Sequence, residues 1–238
     1  MIEKSTWAGR ILETKRLSCR ERVILDVCRG KRVLDVGCVG QRVPSDDPDW
    51  LHSKLRAHAQ RVDGVDIDTE GIARLRHAGL TVYHYDELLE SGNRYDVVVM
   101  ADVIEHVNDP VSFLDTYRVF LVEGGQIVMT TPNSNRAINA INVLLRNDYA
   151  INAQHTMWMC PKSFLEVARR ASDVEVDRFY WLSEPTTPRP ERWINRVKHS
   201  AARALCSVRP AFAPAFAFTL RSTATTPTPG AGGKRSGL

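Results

Sequence analysis

The hexapeptide Tyr95-Asp96-Val97-Val98-Val99-Met100 limits the fold more than any other stretch of this chain. Its three valines favour extended backbone, and successive strand residues point to opposite faces, so the run has no face suited to water. Such a strand belongs inside a parallel sheet covered by helices on both sides. Arg32-Val33-Leu34-Asp35-Val36 has the same character, as do Val62-Asp63-Gly64-Val65-Asp66-Ile67 and the run 126–131. Residues 80–85 alternate like a strand nearer an edge.

Segments with helical spacing separate these runs. Asp109 caps and Pro110 opens a helix expected over 110–122, with Phe113, Leu114, Tyr117, Phe120 and Leu121 on one face and Gly124-Gly125 at its end. Asp68 precedes a second helix that carries Ile72 and Leu75 and closes at Gly79. Pro161 starts a third, with Phe164, Leu165 and Ala168 on one side. The alternation predicts an α/β fold with a doubly wound, mostly parallel sheet. Two further strands are expected over 174–180 and 212–220, separated by a Pro- and Arg-rich return over 185–211. Residues 1–30 read as an N-terminal helical segment, 31–221 as the main domain, and the Thr/Pro/Gly-rich 222–238 as a disordered tail.

Charge and cysteine usage narrow the function. The net charge is only +4, from 32 basic and 28 acidic residues, and no basic stripe crosses the body of the chain, so nucleic acid is not an expected partner. Five cysteines without a C-x-x-C pair argue against a disulfide framework or zinc knuckle and favour a reducing cytoplasm. The N-terminus lacks the apolar core of a signal peptide, and no run approaches the ~18 apolar residues of a spanning helix. The basic stretch 192–209, with Trp193, Ile194, Val197, Ala201 and Leu205 on one side, reads as a connecting helix packed on the domain; weak contact with an anionic membrane surface is the alternative.

Ligands of open α/β sheets bind beyond the carboxyl ends of the strands, at the switch in strand order. Gly37 follows the first such strand, where a glycine lets backbone approach a ligand. Asp66 ends the second, placed to accept bonds from ribose hydroxyls, while Asp68 is the helix cap. Asp86, after the third, either meets an adenine amino group or is a solvated turn residue.

VLDVGCVG, GVDID, YDVVVMADVIEHV and LVEGGQIVMTTPN, in this order and spacing, resemble the motifs of class I S-adenosylmethionine (SAM)-dependent methyltransferases. The later INAQHTMWMCPKSFLEVARRA is similar to a segment of bacterial members that often act on sugars or glycans. The resemblance covers residues 30–182. It implies a Rossmann-like seven-stranded sheet whose antiparallel last strand is supplied by 212–220. It also implies that Asp35, Gly37 and Cys38 border the methionine part of SAM, that Asp66 and Ile67 take ribose and adenine, that Asp86 meets the adenine amino group, and that Met100 and Ala101 lie on the cofactor's other side. The family usually reads D-x-G-C-G-x-G, and here Val39 and Gln41 stand in place of the second and third glycines.

A nicotinamide dehydrogenase would want a third glycine for its pyrophosphate, which this chain lacks. A metal hydrolase with an inverted zinc helix needs H-x-x-E-H, but position 102 is aspartate, so no metal is expected. A non-catalytic SAM- or partner-binding module is the stronger rival to an enzyme. For methyl transfer to a hydroxyl, His106 and His155 are the candidate general bases, with Asp102 as the fallback. Asp102 and Trp158 are the expected acceptor-contact residues, Trp158 by stacking on it. A sugar or glycan hydroxyl is the first expectation by resemblance, and a quinone precursor or other small phenol the second.

Overall fold

The computed structural model describes residues 7–14, 16–40, 47, 49–148, 152–183 and 193–224. Helix α1 (Trp7–Glu13) leads into β1 (Leu17–Cys19) and α2 (Arg20–Cys28). There follow β2 (Arg32–Val36), α3 (Leu51–His58), β3 (Arg61–Val65), α4 (Thr69–His77), β4 (Val82–Tyr83), α5 (Tyr85–Glu90) and β5 (Tyr95–Ala101). A 3-10 turn, Ile104–His106, precedes α6 (Pro110–Arg118), β6 (Leu121–Pro132), α7 (Ala137–Arg146), α8 (Pro161–Arg170), β7 (Val174–Ser183), α9 (Trp193–Val208) and β8 (Ala215–Ser222).

The strands form one sheet in the order β1-β7-β8-β6-β5-β2-β3-β4, and only β8 runs antiparallel to its neighbours, β6 and β7. The Rossmann-like, mostly parallel sheet and its antiparallel last strand are therefore as expected, with one strand more than seven. The extra strand is β1, three residues paired in parallel with the edge of β7 and lying within the segment expected to be helical.

Strand pleating divides the core between two layers. Val98 and Met100 pack with Leu34, Val36, Ile127 and Met129 beneath Leu114 of α6 and Phe164 of α8. Val97 and Val99 pack on the opposite face with Val33 and Val128, against Ile24 and Cys28 of α2 and Leu55 of α3. The side chains of Val97 through Met100 have no exposure, and burial of a side chain of this size stabilises by about 1.5–3 kcal/mol. Phe218 of β8 stacks on Phe164 with centroids 4.8 Å apart, which ties the last strand to α8.

Several boundaries differ from expectation. Asp109 caps α6 by accepting from the amides of Val111 and Ser112, but that helix stops at Arg118. Gly124-Gly125 does not end it. The pair lies inside β6, where Tyr95 pairs with Leu121 and Val97 already with Gln126, so the extra β6 residues loop out at Gly124 with φ +69°. Strand β4 is only Val82–Tyr83, because the amide of His84 donates to the Glu87 carboxylate at 2.8 Å and starts α5. Strand β8 begins at Ala215 rather than 212, since Pro210–Phe212 form a 3-10 turn.

Helix α9 packs against α7, as the connecting-helix reading expects, but its inner side differs. Lys198 and Cys206 are buried, Lys198 Nζ donating to Asn142 Oδ1 at 3.0 Å, whereas Val197 is 57% exposed. The expected tail over 222–238 begins with the last residue of β8, and 225–238 lie outside the described residues. Among the described residues no helix is long and apolar enough to cross a membrane.

Candidate active site

The sequence order of the strands reverses about β2, which has β3 on one side and β5 on the other. The carboxyl ends of β5, β2 and β3 present Ala101, Gly37 and Asp66 along one edge. Gly37 is confined to glycine twice over. Its φ is +75°, and a Cβ there would lie 2.7 Å from Val103 Cγ2.

The loop that follows explains how the chain tolerates valine where its resemblance calls for glycine. Cys38 and Val39 turn their side chains into a small core with Trp50, Ile72 and Leu75. Trp50 Nε1 donates to the Cys38 carbonyl at 3.0 Å. Val39 has room because Gly71 of α4 carries no side chain against it. The bulk at position 39 therefore faces the protein interior, while its amide is turned to Asp66.

Asp66 is already well bonded. Its Oδ1 accepts from the amides of Ile67 (2.7 Å) and Asp68 (3.0 Å), and its Oδ2 accepts from the amide of Val39 at 2.9 Å. A carboxylate offers about four lone-pair positions, so one remains for a ligand hydroxyl, on Oδ2. Asp68 is the cap of α4, accepting from the amides of Glu70 and Gly71.

The other expected cofactor residues divide by exposure. Ile67 stands 92% exposed at the tip of β3, an apolar surface free to cover a planar base. Asp86 is exposed in the first turn of α5. Asp35, Cys38 and Met100 are buried, so they offer a ligand backbone rather than side chain. Asp35 pairs instead with His52 Nδ1 at 2.9 Å, and burial raises the Cys38 thiol well above its usual range. A bare Gly37, an inward Val39, an outward Ile67 and one open lone pair on Asp66 together fit a nucleoside cofactor.

A second group lies past the end of β5. Asp102 has φ +56°, in the left-handed region that aspartate tolerates better than most residues. Its carboxylate meets Arg20 of α2 at 2.8 Å and accepts from Thr130 Oγ1 at 2.8 Å, so a salt bridge compensates its charge. Three residues on, Glu105 is 2% exposed. Its Oε2 accepts from Thr131 Oγ1 at 3.0 Å, while Oε1 has no hydrogen-bond partner. Burial, and secondarily the charge of Asp102, pushes the Glu105 carboxyl up to about 7.

His106 and His155 meet above this carboxylate, their ring centroids 4.7 Å apart. The segment carrying His155 is pinned there by the amides of Thr156 and Met157, which donate to the Glu105 carbonyl at 3.0 and 3.2 Å. His155 Nε2 lies 4.0 Å from Glu105 Oε1, and His106 Nδ1 is 3.1 Å from the Gln154 carbonyl. Burial, then the neighbouring His106, lowers the pKa of His155. Trp158, 40% exposed, lines a small cavity with Glu105 and His155. The two histidines are thus brought together, and Glu105, which sequence reasoning considered only as a residue orienting His106 or bonding the backbone, lies buried beneath them.

A family model described as a methyltransferase domain matches residues 16–177. The ubiquinone biosynthesis O-methyltransferase of Pectobacterium atrosepticum is 28% identical over 180 residues, covering 72% of this chain and 67% of that protein. The Aeromonas salmonicida protein of the same name is 30% identical, with 56% of this chain and 53% of that one covered. Among solved structures, a SAM-dependent methyltransferase from Mesorhizobium loti aligns with a TM-score of 0.52 at 16% identity, over 84% of this chain and 95% of the other. The N-methyltransferase NodS from Bradyrhizobium japonicum, solved with S-adenosyl-L-homocysteine (SAH), aligns at 0.50 and 12%, over 92% and 89%.

Proposed function

We propose, from the premise that this chain belongs to the SAM-dependent methyltransferase family, that it moves a methyl group from SAM to the hydroxyl oxygen of a small phenolic acceptor. SAM supplies an electrophilic methyl group on a sulfonium. The chain's own residues do the rest. Gly37, Asp66 and Ile67 hold the nucleoside, and Ala101 lines the crevice on the β5 side. Holding nucleophile and methyl in line supplies about 7–11 kcal/mol of the barrier reduction.

The observation that carries the choice of oxygen is the meeting of His106 and His155 over the half-satisfied carboxylate of Glu105, past the strand ends that form the cradle. A hydroxyl must lose its proton to become a good nucleophile, and a group placed to promote that loss contributes typically about 10²–10⁴-fold. Either imidazole is placed to take that proton, and the flat indole of Trp158 to lie against the acceptor. The preference for a phenol over a sugar rests on relatives named for ubiquinone biosynthesis. Five free thiols among the described residues fit a cytoplasmic setting.

The test is methyl transfer from labelled SAM to a panel of catechols, hydroxyquinols and sugars, with His155→Ala alongside. Transfer to the phenols, slowed in the variant while SAH affinity is kept, supports the reading. Transfer to sugars alone, or to an amine, rejects it.

A further inference from the structure

We propose that Glu105, His106 and His155 form a binding site for a divalent first-row transition cation, and that this cation takes the acceptor's hydroxyl oxygen. The inference rests on the O-methyl transfer reading above, and it replaces a free imidazole base with a metal centre.

One ligand atom from each residue lies within 4.8 Å of the other two. A cation that binds imidazole nitrogen and carboxylate oxygen at about 2.0–2.2 Å spaces its ligands roughly 3–4 Å apart. The 4.0 Å between Glu105 Oε1 and His155 Nε2 is already in that range, and small side-chain rotations close the rest. The independent observation is Glu105 Oε1 itself. A carboxylate oxygen shut away from water without a partner is costly, and a cation beside it removes the cost.

The surroundings are those of a ligand set. Histidine ligands are oriented by a hydrogen bond from the ring nitrogen that does not bind the metal, and His106 Nδ1 has such a contact with the Gln154 carbonyl. Thr131 holds the other oxygen of Glu105 in the same way. The salt bridge with Arg20 compensates Asp102, which leaves Glu105 as the carboxylate for the cation. Two imidazoles and one carboxylate favour Fe²⁺, Co²⁺ or Zn²⁺ over Ca²⁺ or Mg²⁺, which prefer oxygen throughout; Mn²⁺, the weakest binder of the first-row series, serves as the spectroscopic probe.

Three protein ligands leave coordination positions open to the acceptor. There the cation lowers the pKa of the acceptor hydroxyl, as it does that of bound water. The O–H bond breaks with its proton passing to water. The O–CH3 bond then forms as the S–CH3 bond breaks, its electron pair staying on sulfur.

The experiment uses the untagged full chain, stripped with a chelator and titrated with MnCl2. Calorimetry and loss of the free Mn²⁺ EPR signal follow binding, pulsed EPR looks for imidazole nitrogen on bound Mn²⁺, and SAH is titrated into the same samples. One saturable Mn²⁺ site with imidazole coupling is expected, and Glu105→Gln or His155→Gln, each removing a direct ligand, should weaken it by more than the ~10–100-fold that loss of an outer-shell partner costs. The wild-type nitrogen coupling needs no variant, so a misfolded substitution does not blunt the test. No saturable binding of Mn²⁺ or, in a parallel calorimetric titration, of Zn²⁺, or Mn²⁺ binding without nitrogen coupling, overturns the metal site. If SAH binds while neither Mn²⁺ nor Zn²⁺ does, the metal site falls and the methyltransferase reading stands. If Mn²⁺ binds while SAH does not, the reverse holds.

Discussion

Val39 and Gly71 compete for one volume: a β-carbon on Gly71 would collide with Cγ1 of Val39. A residue in the cofactor loop and a residue inside α4 are thereby coupled, and a valine is accommodated where the family resemblance calls for glycine. In an ordinary helix interior, alanine in place of glycine gains up to about 1 kcal/mol. Here Gly71→Ala is expected to lose roughly 1–3 kcal/mol by overpacking, and to weaken SAH binding by shifting the loop. Adding Val39→Gly should restore part of both, because the Asp68 carboxylate, 2.7 Å from the same β-carbon, still has to shift. Denaturant melts and calorimetry on the four proteins of this cycle check it; additive effects would show that the two sites are not coupled.

Asp66 does two jobs with one carboxylate, tying the loop through Val39 and keeping one lone pair for the cofactor. Asp66→Asn keeps the shape but loses the charge and part of the acceptor capacity. A hydrogen bond to a charged group contributes about 1.5–3 kcal/mol, so SAH affinity should fall about 10–150-fold. Calorimetric titration of wild type and variant decides the matter, and unchanged affinity would remove Asp66 from the cofactor site.

Glu105 sets a pH dependence of stability in protein kept free of divalent cations. The folded chain holds this proton up to about pH 7, whereas the unfolded chain releases it near 4.5. Between those values the folded state binds more protons, so stability falls as pH rises through the window and levels off above it. The loss is on the order of 3 kcal/mol, because each tenfold difference in proton affinity between the folded and unfolded chain is worth ~1.4 kcal/mol. Glu105→Gln escapes it, so the variant should melt several degrees above wild type at pH 8 and level with it near pH 4.5. A gap of the same size at both pH values would refute the burial effect.

The parts of this molecule that the sequence reveals are those whose cause is local. Three valines in a row are buried wherever a sheet takes them, and Asp109-Pro110 caps a helix with atoms two and three residues away. The misread parts depend on distant partners. Gly124-Gly125 follows an amphipathic run as a helix stop would, yet it is a break in β6 set by pairing with β5. Strand β1 has three residues and no apolar run, and it exists because β7 offers an edge. Glu105 reads as one more charged residue until the segment from Asn152 to Trp158 folds over it, some fifty positions later. The D-x-x-E-H run is legible only as a zinc helix lacking its first histidine; its donors come from a turn and a remote loop instead.

The placement of β8 governs how this chain reaches its fold. This strand lies between β6 and β7, yet it follows both in sequence, and β6 and β7 share no pairing of their own. On a ribosome, each would wait with an unpaired edge facing the gap until residue 222 had left the exit tunnel. Unpaired edges are templates for association with other chains, and pairing across long sequence separations is slow. The sheet can therefore close only after synthesis of its last strand, and a chaperone that shields the β6–β7 gap would raise the yield of native protein more than one acting on the β2–β5 half.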